Sequence, residues 1–431
     1  MRTATFAAVV LATALAWTAP RRASADVDAE AATLGAQTEA AALVVVARAT
    51  AAPSAADELP WVKTEFEVGR VLRGGWSRET PLVVLLPRAL GDAAPAGAAR
   101  LLFLEPADDG ESRYRPVAGS ASVLPAGDPR ASARLRHVAR YAAALAAPAS
   151  RRDEALRAAL VDALDGDDAG VVLSAALDLG RRAELLAGLS RAQSEQVVDV
   201  FARRGVQDRA QEALARVVAL CGSPRAADAL ADACAADGAE LLRGGLGDAA
   251  EAFGGSALAE ALAARLAITT APHRARTLVA ALGAAGREVG LTALLGLLRA
   301  DDATLRAEAL HAVGRTARAI RARAAAARRA GAVRSDADAD APPPAEVAQG
   351  AAAPDATWSA LRTRLRVALA QAALGARTAN ERRAAVWSLV QLDDPAATSF
   401  LRRLARDDPG GELGRLAEYH LARPRGSLVL R

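Results

Sequence analysis

The chain has 431 residues, a formal charge of +4, an apolar share of 52%, an aromatic share of 3%, and a single lysine, Lys63. So few aromatics argue against a large β-sandwich, whereas the abundance of Ala suits closely packed helices. Three of the basic residues, Arg2, Arg21 and Arg22, lie in the first 25 residues, which hold no acid; without them the chain is almost neutral, and the electrostatic case for nucleic-acid binding lapses.

Arg2 opens the chain, an apolar stretch runs from Ala4 to Ala19, and Ala23-Ser24-Ala25 supplies a small-x-small end. This reads as a secretory signal peptide over residues 1–25, cleaved after Ala25, and predicts a periplasmic or secreted protein. The other reading is a membrane anchor, for which the stretch is short. Arg21-Arg22 follows the apolar stretch, so it is not a twin-arginine signal, and no Cys lies near the cleavage point to take a lipid. No later stretch reaches about 18 apolar residues, so no transmembrane span is expected in the mature chain.

Residues 26–128 read as a small β domain. Leu43–Val46 is a buried-strand run, and in Trp61–Val68 the residues Val62, Thr64, Phe66 and Val68 alternate with Lys63, Glu65 and Glu67, the period of a half-buried strand. Gly69 interrupts the register as a bulge would. Leu82–Leu86, Leu101–Leu104, Tyr114–Val117 and Val123-Leu124 follow, separated by Pro- and Gly-bearing turns. Five or six short strands in so short a span predict a small closed barrel or sandwich. The Val62-x-Thr-x-Phe-x-Val series, Val71-Leu72-Arg73-Gly74 and Leu101-Leu102-Phe103-Leu104 together resemble a small OB-like domain of exported bacterial proteins, similar in fold to netrin and metalloproteinase-inhibitor modules. Those modules begin with a disulfide-bonded Cys, which is not present here; the resemblance implies protease inhibition as one alternative role. Trp61 and Trp76 flank the long strand, either as a stacking platform or as caps of the barrel core. The module carries ten Lys/Arg against fifteen Asp/Glu over 26–130, which opposes single-stranded nucleic-acid binding.

Residues 129–431 read as helical. Pro129–Ala147 is a connecting helix with Leu135, Val138, Tyr141 and Leu145 on one stripe. Helix pairs with short polar turns follow. In Val289–Ala317, Leu291, Leu294-Leu295 and Leu297-Leu298 form one amphipathic helix, Asp301-Asp302 the turn with Thr304 as the next cap, and Leu305, Ala309-Leu310 and Val313 the returning face, with Gly314 permitting close packing or a bend. Leu294–Leu298, Asp301-Asp302, Leu305-Arg306 and Ala309-Leu310…Val313-Gly314 stand where the HEAT (armadillo-like) repeat family places its first-helix leucines, its Asp turn, its hydrophobe-Arg pair and its second-helix core; the unit resembles that family. Leu278…Gly283 repeats the second-helix ending, and near the C-terminus Arg383…Leu389 reads as a second helix, Asp394-Pro395 as the turn, Phe400…Leu404 as a first helix and Leu413…Leu421 as the close of the array. The expected fold class is therefore α+β multidomain: a small N-terminal β-barrel or sandwich followed by an all-α HEAT-like solenoid.

Two interruptions mark the array. Arg315, Arg318, Arg321, Arg323, Arg328, Arg329 and Arg334 occur with no intervening acid, as either a candidate contact with an anionic surface such as lipid head groups or a solvated helix. Residues 335–356 are rich in Asp, Pro and Ala, and read as a disordered insertion.

The residues expected for chemistry are not found. His137, His273, His311 and His420 are scattered. Asp336-x-Asp338-x-Asp340 departs from a calcium loop at Ala341 and Val347. Gly245-Leu246-Gly247-Asp248-Ala249-Ala250 follows no strand and reads as a turn of the array rather than a dinucleotide loop. Cys221 ends one predicted helix and Cys234 lies roughly ten residues into the next, about 15 Å from the turn at 1.5 Å per residue, too far for a disulfide. No catalytic, cofactor or metal residue is predicted. The reading is an exported non-catalytic scaffold that binds a protein partner, with neither nucleic acid nor cofactor. The repeat resemblance implies one alternative, a lyase-type enzyme acting on a tetrapyrrole.

Overall fold

The computed structural model describes residues 33–50, 61–77, 79–87, 97, 99–107, 113–117, 123–125, 129–205, 208, 210–337 and 354–422, with side chains left aside at 123–125, 129, 327–337 and 354–357. The signal-peptide segment lies outside them, as do residues 338–353 of the predicted insertion. The described chain falls into two compact units, one through Leu185 and one from Leu186.

The first unit opens with a helix that the sequence pattern did not reveal, α1 (Leu34–Ala40), capped by Thr33, whose hydroxyl accepts from the Ala36 N–H. Strands β1 (Leu43–Ala49), β2 (Trp61–Arg73), β3 (Leu82–Pro87), β4 (Ala99–Pro106), β5 (Tyr114–Pro116) and β6 (Val123–Pro125) follow. The order β1-β2-β3-β5-β4 closes through a β1–β4 pairing, so five strands form a barrel, and β6 lies along β4. β3 and β5 are parallel, while the other pairings are antiparallel. The alternation in β2 has the predicted sense. Val62, Thr64, Phe66 and Val68 face inward and Lys63, Glu65 and Glu67 outward, because a period of two puts alternate side chains on opposite faces. Opposite Val46 and Ala47 the register steps from Arg70 to Val68, which leaves Gly69 as the bulged residue. Phe66, Leu82, Leu86, Leu102 and Leu104 are fully buried in the core, with Trp76 and Tyr114 packed against it. The two rings meet edge-on at 5.6 Å. Trp76 thus caps the barrel, whereas Trp61 is exposed.

Helices α2 (Pro129–Ala146), α3 (Ala149–Leu164) and α4 (Ala169–Arg181) complete this unit. Val138 and Tyr141 of the predicted α2 stripe are fully buried. A short helix, α5 (Ala183–Ala187), follows.

The second unit contains α6 (Arg191–Arg203), α7 (Gln211–Leu220), α8 (Ala226–Ala235), α9 (Arg243–Phe253), α10 (Ser256–Ile268), α11 (Pro272–Ala285), α12 (Glu288–Leu297), α13 (Ala303–Ala337), α14 (Pro354–Gly375), α15 (Ala379–Leu392), α16 (Pro395–Asp407) and α17 (Glu412–Ala422). They stack in two layers. One runs α7, α9, α11, α13, α15, α17, each packed on the next, and the other runs α6, α8, α10, α12. This is the stacking by which repeats bury faces that none buries alone. The Gly245–Ala250 segment lies inside α9 rather than in a turn, because Ala249 and Ala250 continue an apolar face begun by Leu246, all three buried.

Glycine sets the spacing of the first layer. A Cβ on Gly283 of α11 would lie 2.8 Å from Ala312 Cα of α13, and one on Gly314 of α13 would lie 2.6 Å from Ser388 Oγ of α15. Gly314 therefore serves close packing inside one continuous helix. Ion pairs cross from repeat to repeat: Arg225 with Asp199 at 2.8 Å, Arg265 with Asp232 at 2.6 Å and Arg366 with Asp394 at 2.9 Å. Asp302, not Thr304, caps α13, accepting from the Thr304 and Leu305 N–H groups at 2.7 and 3.0 Å. Cys221 and Cys234 are both free and buried. Among the described residues no helix is long and apolar enough to cross a membrane.

Candidate functional site

Among the described residues the regular stacking of the second unit lapses between α12 and α14. α10 packs on α12, but α14 re-enters after the insertion and packs on α15 rather than closing on α12. The lapse leaves a cleft of about 620 Å³ between the end of α12, the start of α13, the C-terminal half of α14 and the start of α15, within the size range of ligand pockets.

The base of this cleft is built by Arg306, the arginine of the predicted hydrophobe-Arg pair. Placed in the first turn of α13, its guanidinium reaches back to the Ala300 and Asp301 carbonyls and so holds the α12–α13 turn. From Nε and Nη2 it also donates to Glu381 Oε1, at 3.1 and 2.6 Å. Glu381 sits in the first turn of α15, 2% exposed, and its own N–H donates to the Thr378 hydroxyl that caps the helix. A buried charge must be paired, and this carboxylate is neutralised where it stands. Arg382 makes the equivalent tie to the Ala376 carbonyl at 2.9 Å.

The rest of the lining has two characters. Leu295, Leu298, Leu310, Ala368 and Ala372 make an apolar floor. Arg299, Arg364 and Arg377 stand on the walls, all exposed, and among the described residues their guanidinium groups make no hydrogen bond or ion pair. The lining acids are Glu381, engaged by Arg306, and Asp301. On the solvent side of α14, Val367 and Leu374 are 48% and 65% exposed. The arrangement offers unneutralised planar donors around an apolar surface. That suits binding of a carboxylate-bearing amphipathic group.

The arginines singled out in the sequence are placed elsewhere, along α13. Arg315 and Arg318 are exposed. Arg321 pairs with Asp393 at 3.0 Å, and Arg323 donates to the Gly286 carbonyl, so these two are engaged within the fold. Arg328, Arg329 and Arg334 lie outside the residues whose side chains are described. The cleft arginines were missed because they are scattered in sequence; the lapse in repeat spacing between α13 and α14 was the available signal.

The first unit has a polar junction of its own. α1 acts as a strap: Thr33 Oγ1 donates to Asp178 at 2.6 Å, the Leu34 N–H to Ser174 Oγ at 2.8 Å, and Tyr141 to Glu39 at 2.7 Å. Arg182 pairs with Glu39, and Arg73 of the barrel donates to the Thr38 and Glu39 carbonyls. Burial pushes the Asp178 carboxyl up to about 6 and the His137 imidazole down to about 4. His137 borders a hollow of about 280 Å³ with Arg136, Arg140 and Asp162, in which Arg140 and Asp162 already neutralise each other. His311 lies 5.3 Å from Trp387, its imidazole likewise lowered to about 4 by burial. Cys221 borders a third hollow, of about 580 Å³. Its thiol donates to the Val218 carbonyl at 3.2 Å, and burial raises its pKa, the opposite of what an activated nucleophile needs. Among the described residues no group of three or more His, Cys, Asp or Glu is placed to hold a metal.

No family model matches the chain, and no curated protein does. Solved structures similar to parts of it include an engineered protein (16% identity, covering 62% of this chain and 94% of that one, TM-score 0.28). Another is the complex of CpcE and CpcF of phycocyanin lyase from Nostoc sp. PCC7120 (15% identity, 62% and 93% covered, TM-score 0.28). A second engineered protein is similar at 19% identity, with 67% and 84% covered and a TM-score of 0.24. Superpositions this loose carry no argument about function.

Proposed function

We propose that this is an exported, non-catalytic interaction protein whose helical-repeat unit holds a protein partner. The observation that carries the reading is the α12–α14 cleft, where apolar surface that stacking buries elsewhere stays open beside three arginines that have no acid partner among the described residues. Repeat arrays bind through such extended surfaces without chemistry of their own. The OB-like barrel adds a second contact through its outer face, where exposed Trp61 stands beside Pro87.

The test is a photo-crosslinking amino acid placed at Gln371, an exposed cleft residue, and separately at Glu260, exposed on α10, in the full chain expressed in its own envelope. A discrete protein adduct at Gln371 and none at Glu260 is the expected result. No protein adduct at either position overturns the reading. Visible pigment absorbance co-purifying with the chain would instead favour the tetrapyrrole-lyase alternative, since propionates and a flat macrocycle share the chemistry of this lining.

A further inference from the structure

We infer that the partner enters the α12–α14 cleft as an acidic, amphipathic segment, its carboxylates on Arg299, Arg364 and Arg377 and an apolar side chain on the Leu295–Leu298–Leu310 floor. The inference rests on the protein-binding reading above and adds the chemistry of what is bound.

Charge is the first argument. The arginines of the lining outnumber its acids, and the best-buried acid, Glu381, is held by Arg306, so the field in the cleft is positive. Arginine presents a planar fork of donors that matches a carboxylate in a bidentate pair. Elsewhere in the same unit the fold gives its arginines acids of its own, as Arg225 Nη1 pairs with Glu195 and Asp199. Among the described residues the cleft arginines have no such internal partner.

Size is the second. Arg364 and Gly375 bound the α14 side of the cleft, and eleven residues of helix span about 16 Å at 1.5 Å per residue. An extended segment of about five residues covers that length at about 3.3 Å each. It places two or three alternate side chains on the arginines while the others face the apolar floor.

Shape and composition discriminate among anions. The floor lies between four helices, and among the described residues no aromatic lines the cleft to stack a base. A peptide carries both the carboxylates and the apolar side chains that this lining asks for.

The experiment is fluorescence anisotropy on the full mature chain with a short labelled peptide of alternating Glu and Leu, and with its Gln-for-Glu counterpart. The Glu peptide is expected to bind, more weakly as salt rises, and the Gln peptide at least about tenfold more weakly. The double variant Arg364→Gln/Arg377→Gln should lose at least about tenfold in affinity with unchanged circular dichroism, because both side chains are exposed. Arg299→Gln alone should lose part of it. Equal binding of the two peptides, or wild-type affinity in the double variant, overturns the inference. So does displacement of the peptide by single-stranded DNA or anionic phosphatidylglycerol vesicles as effectively as by unlabelled peptide. A Gln371 adduct together with charge-blind peptide binding would sink this inference and leave the protein-binding reading intact. Absence of any adduct would sink that reading itself.

Discussion

Replacing Gly314 by Ala is expected to destabilise the second unit, although Ala is the better helix former. Inside α13 the substitution by itself contributes about 0.5–1 kcal/mol in favour of the helix. The new methyl, however, would stand 2.6 Å from both Ser388 Oγ and Trp387 Cζ3 and 3.0 Å from Ser388 Cα, roughly 1 Å inside the usual carbon contact of about 3.5–4 Å. Relief requires α13 and α15 to separate. Overpacking of this kind costs about 1–3 kcal/mol. Separation also stretches the buried hydrogen bond from the Ser388 hydroxyl to the Leu310 carbonyl, now 2.6 Å, and the buried Ser388 hydroxyl left without its acceptor costs about 1–3 kcal/mol more. The net loss is about 1–5 kcal/mol. Gly247, inside α9 with nothing within 4 Å of its would-be Cβ, is the control, and Ala there should stabilise by about 0.5–1 kcal/mol. Urea unfolding followed by far-ultraviolet circular dichroism reads both. If Gly314→Ala unfolds at the wild-type midpoint or later, the close approach of α13 and α15 is not as described and the reasoning fails.

Glu381→Leu leaves the half-buried Arg306 without its acid and should cost up to about 3 kcal/mol, most of it recovered by adding Arg306→Met; equal urea midpoints for the single variant and the wild type would contradict the pairing. Asp178 holds its proton up to about 6, above its ordinary 3.8, so the folded state binds more protons than the unfolded between those values. Its contribution is therefore full below 3.8 and lost as pH rises through 6, about 3 kcal/mol at most, and Asp178→Asn should remove that slope. His137, lowered from 6.5 to about 4 by burial, has the opposite sense, with stability full above 6.5 and lost as pH falls through 4; His137→Leu should flatten that acid limb in the same pH series of unfolding curves. Cys221 and Cys234 are buried, and the Cys234 thiol is pushed up to about 12, so a thiol reagent should label neither at a measurable rate until the chain is denatured.

Much of this fold was legible because its signals are periodic. Alternation in β2 and a glycine at the bulge were enough to place the long strand and its register break. Leucines at helical spacing with Asp at the turn placed α12 and α13, and the two distant cysteines read correctly as separate. α1 was not legible. Its seven residues carry too few apolar positions to show a period, and it is held by Thr33, Glu39 and their partners on α2 and α4, contacts that no local pattern encodes. Gly245–Ala250 was misread as a turn because two glycines weigh as breakers in sequence, while in α9 one of them makes room for Glu212 and the apolar face continues past both.

The candidate site was the least legible part, and the reason is physical. Its residues come from α12, α13, α14 and α15, and what joins them is a failure of packing rather than a motif. The hydrophobe-Arg pair at Leu305-Arg306 could be read as a repeat feature, but its partner Glu381 lies 75 residues away, beyond the insertion that broke the period. A repeat array that keeps its spacing buries each first helix on the next. Once α14 returns out of step, the leucines at the end of α12 keep their floor and lose their cover, while Arg306 and Glu381 still lock the second-helix layer together beneath them. The break can therefore open a binding surface without loosening the stack. Arginine density along the chain, the more conspicuous sequence signal, pointed instead to α13, where Arg321 and Arg323 have partners inside the fold. A positive side chain becomes a candidate for binding when the fold has given it no acid of its own, and that is decided by the packing of the four helices around it rather than by its neighbours in sequence.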